Sequence, residues 1–273
     1  MAWQPHIANQ LDHRRDEQGW QAAHLHGAAQ TAMLFDGVPG FAYVVKDAAG
    51  RYVSFNQSVM QRVRARRPED IRGHTAAEIW PGPMAERYNQ QDQWLIKRQL
   101  PIFDQLDPTL YADGETGWCV THKYPLYVTT GELAGILCLS RDLPEISRNG
   151  LINEQLANAV DRMVIHFEDK LQIADLAEQA GLSSSQFSAR IRKIYGISPA
   201  DLILRSRIRA ACALLRRDDA PLSQIALQCG FYDHSLLSRQ FQRVIGTNPS
   251  SYRKWLQTQP QSTLVSWEPH WPR

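Results

Sequence analysis

The spacing of hydrophobic positions changes along the chain and divides it into two parts. From about residue 38 to 142, short runs rich in β-branched and aromatic residues alternate with turn residues, which is typical of strands, and helically spaced segments interrupt them. After about residue 155 the apolar positions recur at helical intervals throughout. The pattern predicts an α+β chain, with an antiparallel sheet and helices first and an all-α domain second.

The first part has a definite order of predicted elements. Residues 40–56 predict a hairpin around the turn Lys-Asp-Ala-Ala-Gly, with Asn56 placed to cap the next helix. Three helical segments follow and then three strand-like segments. The helices are predicted at 57–64, 76–80 and 84–98, and the strands at 102–111, 116–129 and 133–139.

An internal repeat organises the second part. Residues 173–199 reappear, degenerate but aligned, at 223–249. Each copy reads as two helices joined by a turn, because Gly181 and Gly230 stand where a helix ends in a left-handed residue. Residues 200–217 lack Gly and Pro and predict one connecting helix about 25 Å long. Such a helix suits two units placed about 34 Å, or one DNA turn, apart.

The second helix of each repeat is predicted to begin at a marked residue and to have one buried face. Ser183 with Gln186 forms a capping box, and Asp233 caps the second copy. Phe187, Ile191 and Ile194, like Leu237, Phe241 and Val244, are spaced to point inward. The opposite face is free to enter a major groove. We expect base contacts from Ser184, Ser185, Ser188, His234, Ser235, Ser238 and Arg239, and phosphate contacts from Arg192, Lys193, Arg243 and Arg253.

Residues 156–254 resemble the AraC/XylS family of transcription regulators. The resemblance is carried by IADLAEQAGLSSSQFSARIRK, by GISPADLILRSRIRAACALL, and most specifically by IALQCGFYDHSLLSRQFQRVIGTNPSSYR. It implies an all-helical domain that binds double-stranded promoter DNA through both units and usually activates transcription by contacting RNA polymerase. Members commonly have Arg where this chain has Ala189, and Phe where it has Ile191. We therefore expect the second unit to supply more of the discrimination between bases.

Residues 34–142 resemble a PAS sensor domain, and the string Val-Lys-Asp-x-x-Gly-Arg-Tyr-Val-x-x-Asn carries this similarity. The resemblance implies a curved antiparallel sheet that encloses a pocket for a small-molecule effector, or that serves only in dimerisation. The sequence identifies no cofactor, and haem ligation by His74 or His122 is left open. Pocket walls or plain core packing are the two alternatives for Tyr43, Phe55, Trp80, Trp94, Trp118 and His122.

Charge and cysteine content narrow the function classes. Residues 1–150 hold 15 Lys+Arg and 17 Asp+Glu, net −2, whereas residues 151–273 hold 15 and 11, net +4. Eight of these basic residues lie between Phe187 and Arg217, which suits a polyanionic partner. The four cysteines are far apart and predict buried thiols rather than disulfides or zinc. An enzyme using Cys119 or His122 is the rival class, but no third catalytic group accompanies them.

These observations predict a transcription regulator in five segments. They are a flexible N-terminus with a lead-in helix (1–33), a sensor (34–142), a linker (143–155), the DNA-binding domain (156–254) and a tail (255–273). No apolar run approaches the roughly 20 residues of a membrane span, so we expect a cytoplasmic protein. A homodimer is expected, and the alternative is a first domain that serves only in dimerisation or protein docking.

Overall fold

The computed structural model describes residues 30–127, 132–217 and 219–258; the predicted flexible N-terminus and most of the tail lie outside these ranges. The N-terminal domain is one five-stranded antiparallel sheet of order β2-β1-β5-β4-β3 with helices. This confirms the predicted fold class for the first part. The elements are α1 (30–36), β1 (Phe41–Asp47), β2 (Tyr52–Phe55), α2 (Gln57–Val63), a 3-10 turn (Pro68–Asp70), α3 (Ala76–Ile79), α4 (Gly82–Arg98), β3 (Ile102–Leu110), β4 (Thr116–Tyr127) and β5 (Leu133–Asp142).

Both faces of the sheet are covered, which explains the long buried stretches in its strands. Val44 of β1 pairs with Cys138 of β5, which pairs with Lys123 of β4, so these three form one row on the face beneath α2 and α4. Tyr43 lies on the other face, where its ring stacks on that of Phe35 from α1 at 5.5 Å. Side chains that point to either face of the sheet are therefore buried.

Asn56 lies at the predicted N-cap position of α2, but its side chain does not cap that helix. Its Oδ1 accepts from the Tyr43 backbone N–H at 3.0 Å, and its Nδ2 donates to the Phe41 carbonyl at 2.9 Å. The first helical N–H, that of Gln57, donates to Asp36 Oδ1 at 2.6 Å instead. The prediction that Asn56 caps α2 is therefore wrong. The Asn56 amide bonds to the backbone of β1 across the hairpin, and the Asp36 carboxylate at the end of α1 accepts from the first N–H of α2 instead.

The C-terminal part is all-helical, and its two tandem helix-turn-helix units are confirmed. The predicted linker contains a short helix, α5 (Pro144–Arg148), whose Ser147 hydroxyl lies 2.8 Å from the Tyr111 hydroxyl. The remaining helices are α6 (Glu154–Val164), α7 (Ile173–Gln179), α8 (Ser184–Tyr195), α9 (Pro199–Arg217), α10 (Leu222–Gln228), α11 (His234–Ile245) and α12 (Pro249–Thr258). In each unit a left-handed glycine ends the first helix, with φ of +67° at Gly181 and +74° at Gly230.

The two equivalent glycines differ in their surroundings, and substitution by alanine should reveal the difference. A Cβ on Gly230 would lie 2.8 Å from Glu168 Cα and 2.9 Å from the Phe167 carbonyl oxygen, whereas a Cβ on Gly181 meets no atom within 4 Å. We expect Gly181→Ala to cost about 1 kcal/mol of unfolding free energy through its backbone angle. Gly230→Ala should cost about 3 kcal/mol, since overlap adds to that strain. Urea denaturation measures both, and equal losses would contradict the close packing at Gly230.

The hydrophobic core is continuous from the sheet into the first helix-turn-helix unit. One cluster of buried residues joins Leu106 and Ile136 of the sheet to Leu156 and Val160 of α6 and to Phe187 of α8. The second unit has its own cluster around α9, α10, α11 and α12, which Trp94 and Leu100 of the first domain also contact. The helical C-terminal part therefore packs against the sheet, chiefly through α6.

Candidate nucleic-acid interface and sensor cavity

The second helix of the first unit, α8, presents one free face because the other is fully buried. The Ser183 hydroxyl accepts from the Gln186 N–H at 3.3 Å, and Gln186 Oε1 accepts from the Ser183 N–H at 3.0 Å, which confirms the capping box. Phe187 and Ile191 are completely buried, as the spacing predicted. These contacts fix which side chains of α8 point to solvent.

The equivalent helix of the second unit, α11, is held in the same way. Asp233 Oδ1 accepts from the Leu236 N–H at 2.7 Å, which confirms the predicted cap. Leu237 and Phe241 are completely buried, and Val244 is half-buried. The two units therefore expose equivalent faces.

Ten of the eleven predicted DNA contacts lie on α8 and α11. Ser188 and Ser238 are half-buried, and the Ser238 hydroxyl already donates to the His234 carbonyl at 2.8 Å. Arg253 is the exception: it lies half-buried on α12, not on α8 or α11, and it donates to the Ala220 carbonyl at 2.7 Å. The exposed positions are Ser184, Ser185, Arg192, Lys193, His234, Ser235, Arg239 and Arg243.

The exposed cations of this face have no acidic partner in the part of the chain that the structure describes. Within the ranges that the structure describes, no salt bridge involves Arg192 or Lys193 of α8, or Arg239 or Arg243 of α11. Exposed hydroxyl groups on the same helices add donors and acceptors that can contact base edges. This arrangement suits a phosphate-rich groove.

At least half of the basic residues between residues 187 and 217 contact other parts of the protein, so the charge of this cluster is not all available to a polyanionic partner. Arg209 pairs with Asp104 of β3, and Arg217 donates to the Arg98 carbonyl at 3.0 Å, so both join α9 to the first domain. Arg207 donates to the Phe167 carbonyl at 2.8 Å, and Arg190 to the Leu151 carbonyl at 3.1 Å. Sequence spacing does not reveal these partners because they lie 39 to 119 residues away.

A cavity of about 50 Å³ lies between the sheet and the helices of the first domain. Two buried lysines on its wall, Lys46 and Lys123, share the carboxylate of Asp92, at 2.5 Å and 2.6 Å. Burial alone would raise the pKa of Asp92, but the ammonium groups of Lys123 and Lys46 outweigh it and hold that pKa below its ordinary value. One signal could have identified this wall from the sequence: Lys46 alternates in phase with Ala42 and Val44 along β1, so its side chain points to the same face of the sheet.

Of the six aromatic and histidine residues considered for a pocket, Trp80 lines this cavity, and its indole N–H donates to the Tyr52 hydroxyl at 2.8 Å. Trp118 and His122 alternate along β4 with the cavity-facing Thr121. The His122 ring accepts from the Asp104 N–H at 3.1 Å. The others lie apart from the cavity wall: Tyr43 on the far face of the sheet, Phe55 half-buried beside the main core, and Trp94 between the two cores.

Ionic contacts join the cavity wall to α6, which precedes the two helix-turn-helix units. Asp107 is completely buried on the cavity wall, and its Oδ1 accepts from Arg87 at 3.0 Å. The same guanidinium donates at 2.5 Å to Asp161 of α6, which also receives the Gln105 amide. Burial raises the pKa of Asp161 to about 6, and the negative charge of Asp107 also raises it. The positive charge of Arg87 lowers this pKa but does not outweigh the burial.

The four cysteines are buried, whereas the candidate ligand His74 is partly exposed. All four thiols are free and buried, as predicted, and burial raises the pKa of Cys119 to about 12. A thiol with such a pKa stays protonated and is a poor nucleophile. His74 is nearly half exposed and lies 3.4 Å from Glu78. In the described ranges, no helix combines the length and the apolar character needed to cross a bilayer.

Comparison with known proteins finds two families on separate parts of the chain. Residues 176–254 match a family described as a helix-turn-helix domain, and residues 35–148 match a family described as the PAS fold. The probable transcriptional regulator LumQ of Photobacterium leiognathi is 38% identical over 88 residues, covering 32% of this chain and 36% of LumQ. A putative AraC-like transcription regulator of Streptomyces antibioticus is 40% identical over 82 residues, covering 30% of this chain and 27% of that protein.

Among solved structures, the DNA-binding domain of AdpA in complex with a target DNA aligns with 28% identity and a TM-score of 0.36. The alignment covers 38% of this chain and 93% of that one. The matches to the two curated regulators, LumQ and the Streptomyces antibioticus protein, span only about a third of the length of each of those proteins.

Proposed function

We propose that this chain, which joins a domain of the PAS fold to a helix-turn-helix domain of the AraC type, is a sequence-specific DNA-binding regulator of transcription. The observation that carries the proposal is the pair of equivalent helices, α8 and α11, with exposed hydroxyl and basic side chains and no internal counter-charges in the described ranges. A merely structural repeat would not need two such faces.

The helix α9 connects the two units in a way that suits one face of a duplex. Its 19 residues span about 28 Å, and the turns on either side extend the separation toward one DNA turn, about 34 Å. One chain would then occupy two successive major-groove segments. Arg239, Ser235 and His234 would contact bases in the second segment, while Arg192, Lys193 and Arg243 would contact phosphates.

Sequence preference should depend on Arg239 more than on its basic neighbour. We expect Arg239→Ala to weaken binding to a selected DNA site by about 1–3 kcal/mol and to relax preference at one base pair, if the guanidinium bonds to guanine. The measurement selects sites from a random DNA library with the full chain and then titrates variants by fluorescence anisotropy.

Arg243→Ala is the matched control, since Arg243 is also an exposed arginine of α11. This variant should weaken all sequences alike and lower the salt dependence of binding by about one phosphate contact. An unchanged site preference in Arg239→Ala would contradict the assignment of that residue. Absence of any selected site would contradict the proposed function itself.

We further propose that the protein acts as a homodimer on promoter DNA in the cytoplasm and activates transcription by contacting RNA polymerase. The resemblance to AraC-type regulators supports this part, and the continuous core between the domains gives a signal in the cavity a physical path to the DNA-binding helices. Light scattering on the full chain tests dimerisation.

Transcription in vitro from the selected site, with and without the protein, tests activation.

A further inference from the structure

The wall of the cavity in the first domain includes several polar groups, and the described residues do not use all of their hydrogen-bonding capacity. Asp107 is completely buried, yet its Oδ2 has no hydrogen-bond partner within the described residues. Its Oδ1 accepts from both Arg87 and Gln91. An unpartnered carboxylate oxygen at such depth is costly, and an occupant that donates a proton to it would remove that cost.

The same cavity also offers unused donors. The Lys46 ammonium has three N–H groups and donates one hydrogen bond within the described residues, to Asp92. The Tyr52 hydroxyl accepts from Trp80, and its own proton has no acceptor in the part of the chain that the structure describes. A molecule held here therefore meets an acceptor at Asp107 and donors at Lys46 and Tyr52.

The buried charges around the cavity are formally balanced. Lys46 and Lys123 share one carboxylate, Arg62 is paired with Asp142, and Arg87 is shared by two carboxylates. The two lysines with one carboxylate carry a net charge of +1, and Arg87 with its two carboxylates carries a net charge of −1, so the charges cancel. A charged occupant would add a buried charge without a partner, which is strongly unfavourable, so the site favours a neutral molecule.

Size and shape limit the occupant further. A volume of about 50 Å³ holds roughly three to five water-sized groups. Tyr52, Trp80 and Tyr88 line it, and the rings of Trp80 and Tyr88 meet edge to face at 5.5 Å. Aromatic walls favour contact with a flat group.

We propose that this cavity binds a small, neutral, planar molecule of the amide class, with its N–H donated to Asp107 and its carbonyl oxygen accepting from Lys46 and Tyr52. An amide carries both functions on one flat, uncharged group. The inference rests on the proposed function, because it names the kind of signal that the PAS domain would receive. Since the Oδ1 atom of Asp107 also binds Arg87, which contacts Asp161 of α6, such an occupant would contact the connection between the two domains.

The test compares three size-matched probes, each with four non-hydrogen atoms, on the full chain by ligand-detected NMR titration. They are acetamide, which is a neutral amide, acetamidinium, which is a cation, and acetate, which is an anion. Each is within the size that the cavity can hold. We expect acetamide to bind with a Kd at least about tenfold below that of either charged probe. Charged probes that bind as tightly, or a failure of acetamide to bind at about 0.5 M, would overturn the proposal.

Two variants locate the binding in this cavity. Tyr52→Phe removes one hydroxyl and keeps the ring, and Asp107→Asn replaces an acceptor oxygen; each should raise the Kd of acetamide by about fivefold or more. Asp113→Asn alters a half-exposed carboxylate on the β3–β4 turn and should leave the Kd unchanged. Unaltered affinity in both cavity variants would overturn the site. DNA binding by the same samples, measured separately, shows whether the regulator itself still functions when the amide site fails.

Discussion

Replacing Asp92 by alanine is expected to lower the unfolding free energy by about 3–5 kcal/mol, the range found when one member of a buried ion pair is removed. Asp92 is the shared partner of Lys46 and Lys123, and all three side chains are at most 5% exposed. The variant would leave two buried ammonium groups without their carboxylate. Urea denaturation of the full chain, followed by circular dichroism, measures the loss.

Asp113→Ala is the matched control for this loss. Asp113 also forms a salt bridge, with Arg148 at 3.3 Å, but both side chains are at least half exposed. Exposed pairs contribute about 0–1 kcal/mol, so this variant should unfold nearly as the parent does. A triple replacement, Asp92→Leu with Lys46→Met and Lys123→Met, should recover most of the stability by removing the charges together. Equal losses in Asp92→Ala and Asp113→Ala would contradict the account of the buried cluster.

The features that the sequence predicted well are those encoded within a few residues. Ser183 and Gln186 are three positions apart, and Asp233 lies three positions before the N–H that it caps. Both partners of each hydrogen bond can therefore be identified from a short stretch of sequence. The inward positions of α8 and α11 follow from helical spacing alone. The repeat then supports each inference twice, because the same signals occur in both copies.

The features that the sequence did not predict depend on partners far apart in the chain. Lys46 and Asp92 are separated by 46 residues, and Arg209 and Asp104 by 105, so spacing could not join them. Asn56 resembles a helix cap, but the folded hairpin brings two backbone groups of β1 to its amide first. The pocket candidates were chosen by residue type, whereas strand parity decides which side chains face the cavity.

Arg87→Met should produce the second large effect, with a characteristic pH dependence. Arg87 is the cation that links buried Asp107 to Asp161 of α6, whose side chain is 23% exposed. Removing it leaves two carboxylates facing each other at the junction of the domains. We expect a loss of about 3–5 kcal/mol in unfolding free energy near pH 8, measured by urea denaturation.

The sign of the pH effect follows from the pKa of Asp161. Its value of about 6 in the folded protein exceeds the ordinary value of about 3.9 expected for the unfolded chain. The folded state therefore binds a proton more readily between these values, and this carboxyl's contribution to stability rises as the pH falls through 6 toward 4. Without Arg87 the pKa should rise further, so the loss caused by Arg87→Met should shrink from about pH 8 to about pH 5.

Asp161→Asn separates this carboxyl from every other titrating group. In the parent chain the substitution should remove a pH-dependent component of about 2–3 kcal/mol, taken from the difference between the two pKa values. Combined with Arg87→Met, it should recover at least half of that variant's loss near pH 8, because one of the two unpaired charges is gone. A loss in Arg87→Met that stays constant across this pH range, and that Asp161→Asn does not relieve, would contradict the ionic connection between the cavity wall and α6.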